Sequence, residues 1–133
     1  MFTKLKFSRR QIKNYFASAS RDMKIAWASA VPEVIFKFSY DSLIKLAIAV
    51  CAGNGLRVKS RAGHHAGLLR KLSEFLNDQD IEVVGNKMRR QRNLDLYGGG
   101  ILISKKEASE YREWLKNIFI KVEDNLNKNS KLF

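Results

Sequence analysis

Residues 32–52 read PEVIFKFSYDSLIKLAIAVCA, and the fold turns on this stretch. Pro32 suits a first helical turn, where its missing N–H has no partner to lose. Beyond it Val34, Phe36, Phe38, Tyr40, Leu43, Ile44, Ala47, Ile48 and Val50 cover more than one helical face. A helix apolar on several sides belongs at the centre of a domain, with other elements packed around it. Gly53-Asn54-Gly55 ends the run.

The flanking segments supply those other elements. Upstream, Ser8-Arg9-Arg10-Gln11 has the form of a capping box. Ile12, Tyr15, Phe16, Ala19, Met23 and Ala26 then follow at steps of three and four, which predicts an amphipathic helix to about Ser29. Downstream, Leu56 to Gly63 (LRVKSRAG) is too short and too charged for a core element and reads as a basic connector. His65, Leu68, Leu69, Leu72, Phe75 and Leu76 describe a third helix, closed by Asn77-Asp78. A fourth begins near Asp80, turns Ile81, Val84 and Met88 inward, and is broken by Gly98-Gly99-Gly100. After the apolar linker Ile101-Leu102-Ile103, a second capping box, Ser104 to Glu107, opens the last helix. Its seam is Ala108, Tyr111, Leu115, Ile118 and Val122, and its end is expected to fray from about Asn125. The expectation is one all-α domain over residues 1–133, a five-helix, up-and-down bundle without repeats.

Composition bounds the function. A chain of 133 residues can bury a real core, and 45% apolar residues with eight Phe, four Tyr and two Trp exclude a disordered chain. The lone Cys51, in LAIAVCAG, is expected to be a buried free thiol in a reducing cytosol. One Cys supports neither a disulfide frame nor a zinc cluster, so no metal or cofactor is expected. The longest apolar stretch, Leu46 to Ala52, is far below the roughly 20 residues that cross a bilayer, and no signal peptide is visible. A soluble cytoplasmic protein with no membrane partner is the reading. The net charge of +12 is lopsided: residues 1–71 carry 14 Lys or Arg against three acids, the remainder 11 against 10. Such a field favours RNA, DNA, nucleotides or an acidic protein without selecting among them.

The densest chemistry lies at residues 87–100, KMRRQRNLDLYGGG. Lys87, Arg89, Arg90 and Arg92 arrive within six residues and run into Asn93, Asp95 and Tyr97. A guanidinium can hold a phosphate by its fork, an amide a sugar or base, and a phenol ring can stack. The plainer reading is a solvated basic helix end, with Arg89, Arg90 and, less so, Arg92 paired to Glu107, Glu110 or Glu113, and Asp95 holding Arg92 at i+3.

These blocks resemble the HEPN family of small helical nucleotide-binding domains. Three stretches carry the resemblance: Tyr40-Asp41-Ser42-Leu43, the run from Gly55 to His65, and Arg89 to Tyr97. It spans about Pro32 to Ile120 and implies a HEPN-type bundle that pairs as a homodimer, with both signatures facing one cleft. The family signature is an Arg, usually a polar neighbour, and a His four to six intervening residues later. In members that cut RNA, the His assists attack by the ribose 2′-hydroxyl while the Arg steadies the phosphate. Carried over, Arg92 is the signature Arg, Asn93 its polar neighbour, and Tyr97 stands where the His would be. A Tyr with an ordinary pKa near 10 is protonated at neutral pH and is a poor general base. The resemblance therefore implies binding of nucleotide or RNA without catalysis, within a toxin–antitoxin or stress system. Many such domains are encoded beside a minimal nucleotidyltransferase, and that is the protein partner implied.

His64 and His65 are the only imidazoles. Neighbours on a helix point about 100° apart, which does not suit one metal. The structural reading has His65 cap or pack at a helix start and His64 face solvent. The functional one sets His64 beside Arg57, Lys59 and Arg61 as substitute general base, the connector and Arg92 forming one anion cleft. In that case the chain is a metal-independent endoribonuclease, with Arg92, Tyr97 and His64 as its catalytic residues. A third reading is a partner of the nucleotidyltransferase with no nucleic-acid role. Tyr40 and Asp41 are expected to be a buried hydrogen-bonded pair, Asp41 with an Arg partner, and Trp27 and Trp114 to be core or dimer seam.

Overall fold

The computed structural model describes residues 1–59, 63–97 and 103–130. They form five helices: α1 (Arg9–Ala28), α2 (Pro32–Gly53), α3 (His64–Leu76), α4 (Gln79–Tyr97) and α5 (Lys105–Ser130). The fold is all-α and bundle-like, as the periodicity anticipates. Local chemistry sets the helix ends. The Ser8 capping box closes in both directions: the Gln11 N–H donates to Ser8 Oγ at 3.1 Å, and the Ser8 N–H to Gln11 Oε1 at 2.8 Å. Pro32 opens α2, and the Asn54 amide closes it by donating to the Val50 carbonyl at 2.8 Å. Asn77, at φ 51°, takes the left-handed turn that stops α3, a conformation asparagine tolerates better than most residues.

α2 is the centre. Ile35, Tyr40, Leu43, Leu46, Ala47, Ala49 and Val50 on it have no exposed surface. α1 lies along one side, with the fully buried Ala19 and Ala26 among its core residues. The two helices are also joined by the buried Asp22, whose Oδ2 lies 2.7 Å from Lys45 Nζ. α5 covers another side through Leu115, Ile118, Val122 and Leu126, and it runs antiparallel to α1, Phe119 meeting Phe16 while Arg112 meets Trp27. α3 and α4 form a hairpin on the remainder, with Leu68, Leu69, Leu72, Ile81 and Met88 buried. At Gly85 there is no room for a methyl group, because a Cβ would stand 2.7 Å from Leu69 Cδ2. Cys51 is buried and free, and burial pushes its thiol up to about 12, which leaves it protonated and unreactive.

The structure corrects two expectations here and narrows a third. Leu56–Val58 is strand β2, not simple connector, and pairs antiparallel with β1 (Phe2–Lys4), Phe2 facing Val58. Alternation in burial accompanies it: Leu56 and Val58 are half-buried, lining a small cavity with Phe7, Tyr15 and Cys51, while Arg57 between them borders the same cavity and is exposed. α5 does not fray at Asn125 but continues to Ser130, since Leu126 is fully buried and the Asn125 amide donates to the Phe75 carbonyl at 3.4 Å. Of the two places expected for Trp27, core or dimer seam, the core is excluded, because the residue is 37% exposed. The second capping box is half made, with the Glu107 N–H donating to Ser104 Oγ at 3.0 Å while its carboxylate accepts from Gln91. Gly98 to Leu102 lie outside the described residues. Among the described residues no helix is long and apolar enough to cross a membrane.

Candidate functional site

Three helices bring their polar residues to one place. Tyr40 sits midway along α2 with no exposed surface, so its phenol needs a partner. The partner comes from the first turn of α3, where His65 Nδ1 lies 2.9 Å from the Tyr40 hydroxyl. His64 packs edge-on against His65, ring centroids 4.5 Å apart. From α4, Arg92 places its guanidinium carbon 5.6 Å from the Tyr40 ring centre, within cation–π range. Arg89, one turn earlier, donates through Nε to Asn86 Oδ1 at 2.9 Å, and its charge acts on both Tyr40 and His65.

Burial sets the protonation of this corner. It pushes the Tyr40 phenol up to about 12, against the pull of Arg92 and Arg89 and with Asp41 adding to the rise. It brings His65 down to about 4, helped by His64, Arg92 and Arg89 and opposed by Asp41. At neutral pH the phenol is protonated and the imidazole neutral, so in the Nε2–H tautomer the phenol donates to Nδ1. Asp41, the nearby acid, is held by Lys37 at 3.1 Å, not by the Arg expected for it. Nor does Tyr40 pair with Asp41; its hydroxyl goes to His65. Arg89, Arg90 and Arg92 take part in none of the ion pairs found among the described residues. The expected pairing with α5 is replaced: Glu107 accepts from Gln91, and Glu113 sits 3.8 Å from Lys116. Two guanidinium groups therefore flank two neutral hydrogen-bonding rings.

No family model, curated protein or solved structure matches the chain. The site is thus read from its own geometry. α4 is held in register beside Arg92 by Gln91, whose amide oxygen accepts from the Tyr111 hydroxyl at 2.6 Å and whose nitrogen donates to Glu107. Tyr111 is itself pushed up to about 12, by burial first and then by Glu107 and Glu110, so it remains a donor. This clamp fixes the helix face from which Arg92 projects.

The other expected site residues divide. Asn93 is exposed on α4, next to Arg92 in sequence. His64 belongs to the corner and is half-buried against His65, not turned wholly to solvent. Arg57 does not join it. It lines a small cavity with Ile48 and Cys51, and Ile48 lies about 12 Å along the α2 axis from Tyr40. Lys59 is exposed, its backbone N–H donating to the Met1 carbonyl at 2.8 Å. Of the residues expected to form one cleft with Arg92, the contacts of the described residues bring His64 and His65 to it and include none with Arg57 or Lys59. Arg61 and the side chains of Asp95 and Tyr97 lie outside the described residues, and with them the contact expected between Asp95 and Arg92; α4 extends to Tyr97 in its backbone. Among the described residues no cluster of His, Cys, Asp or Glu is suited to a metal. Sequence reading missed Tyr40 and His65 as a pair. The available signal was a phenol in the middle of an otherwise apolar helix, which has to find a hydrogen-bond partner.

Proposed function

We propose that the chain is a HEPN-type module that binds nucleotide or RNA through a phosphate, with Arg92 as the gripping cation. The observation that supports this most is the placement of Arg92 over the Tyr40–His65 pair, outside the ion pairs of the described residues. A guanidinium fixed on a ring face retains N–H groups for an incoming phosphate, and Arg89 adds a second charge nearby. On this reading Asn93, exposed next to Arg92 in the sequence, meets the ribose. Tyr97 in place of the signature His favours binding without catalysis, in a paired assembly of two copies.

The test is a titration of a fluorescent 15-nucleotide RNA at low salt. Arg92→Ala is expected to lose roughly 10- to 100-fold in affinity, the scale of one charge-assisted hydrogen bond. Its salt slope should flatten by about 0.7, one phosphate contact on a single strand. Unchanged affinity removes Arg92 from the role.

A second reading, a metal-independent endoribonuclease, is favoured by one observation: an imidazole, His65, stands in the Arg92 corner although it comes from another helix. An anion beside His65 raises its pKa and makes it a better base. Cleavage of cellular RNA in the presence of EDTA, lost in both Arg92→Ala and His65→Ala, supports that reading. Intact RNA rejects it.

A further inference from the structure

α1 carries a second charged surface that the Arg92 site does not use. Lys13, Ala17, Ser20, Lys24 and Trp27 follow at steps of four, three, four and three, so they share one stripe along the outer face. Lys13, Arg21 and Lys24 stand around an open groove of about 490 Å³ floored by Phe16 and Ala17. None of these three cations enters an ion pair among the described residues. The one acid of α1, Asp22, is buried and faces Lys45 instead. Trp27 lies at the far end of the stripe. Arg112 and Lys116 of α5 approach its ring to 4.1 and 4.8 Å, yet the residue remains 37% exposed.

We propose that this stripe, from Lys13 to Trp27, is a binding surface for single-stranded nucleic acid, separate from the Arg92 corner and independent of its function. Positive charge alone suits any polyanion, and the indole makes the selection. A ring with cations beside it takes a base by stacking on the surface they leave open, while the flanking phosphates meet Lys and Arg. An acidic protein gains nothing from the stack. An anionic membrane needs a continuous row of bulky apolar groups, whereas this stripe offers one, Trp27, between small and charged residues. Its length, fourteen steps of 1.5 Å or about 21 Å, accommodates on the order of four nucleotides, the lower end of single-strand site sizes.

The experiment uses the full chain carrying Trp114→Phe, which leaves Trp27 as its sole indole. Oligouridylate is titrated in at low salt, with Trp fluorescence and anisotropy of the labelled oligonucleotide recorded together. Saturable quenching of Trp27 is expected, absent in the converse variant Trp27→Phe. The combined Lys13→Ala, Arg21→Ala, Lys24→Ala variant should bind at least tenfold more weakly, with a salt slope reduced by about 2, three contacts at 0.7 each. Quenching should persist in Arg92→Ala, which separates this surface from the phosphate grip proposed for α4. Absence of quenching, or an unchanged salt slope in the triple variant, overturns the proposal. Equal quenching by polyglutamate or by phosphatidylserine vesicles overturns it too, by making the partner an acidic protein or a lipid surface.

Discussion

The Arg92 corner and the α1 stripe both set cations against an aromatic ring, and they are built in opposite ways. At the corner, residues from three helices converge on a ring with no exposed surface, and burial moves His65 and Tyr40 far from their ordinary pKa values. On α1, side chains spaced by helical period lie on the outside of the bundle, and only the indole is contributed to by a second helix. The first is an arrangement in which each member depends on its neighbours. The second is close to a sum of independent charges. Buried polar networks in low dielectric couple strongly and are costly to leave half-made, whereas exposed charges are screened and nearly additive.

The sharpest contrast is in stability. Tyr40→Ala removes a fully buried ring together with the partner of His65, and urea denaturation is expected to show a loss of about 3–5 kcal/mol. A loss below 1 kcal/mol breaks the contrast, because Tyr40 would then not be a keystone of the corner.

A smaller effect lies in pH. Between about 4 and 6.5 the unfolded chain holds a proton on His65 that the folded chain does not, so acidification favours unfolding. The stability this residue contributes is fully present above pH 6.5 and is lost as pH falls toward 4. With a discount for the partial exposure of the ring it amounts to about 1–2 kcal/mol. Comparison of urea midpoints at pH 7 and 4.5 should show a shallower acid dependence in His65→Gln than in the parent chain. Parallel curves would mean that His65 is solvated in the folded state.

The smallest effect belongs to α1. Lys13→Ala, Arg21→Ala and Lys24→Ala should each change stability by no more than about 0.5 kcal/mol, because these exposed side chains hold no ion pair among the described residues. A cooperative loss of several kcal/mol in the triple variant would place the stripe in the same coupled class as the corner.

What the sequence disclosed, and what it hid, follows the same division. Periodicity found the five helices, and the capping residues Ser8 and Pro32 placed the starts of α1 and α2, because these features act within a turn or two. Arg92 was legible as chemistry through the density of cations around it. Its neighbours were not, because Tyr40 and His65 are 25 residues apart and meet only when α3 folds onto α2. The pairing of β1 with β2 was hidden for the same reason: three-residue strands carry too short an alternation to be read alone. For Trp27 the sequence left core and dimer seam open, since an aromatic residue near the end of an amphipathic helix suits either, and its 37% exposure removes the core. The frayed end assigned to α5 failed because the polar run NLNKNS conceals Leu126 and an Asn125 that hydrogen-bonds across the bundle.

The claim that Arg92 holds a phosphate beside the Tyr40–His65 pair is tested most directly by NMR titration of the His65 ring with and without saturating uridine 3′-monophosphate. A phosphate gripped there is a negative charge next to a buried imidazole. The His65 midpoint should rise from about 4 by roughly one unit or more on nucleotide addition, and in Arg92→Ala that ligand-induced rise should vanish. A midpoint that does not move at saturation, or that moves equally in Arg92→Ala, contradicts it.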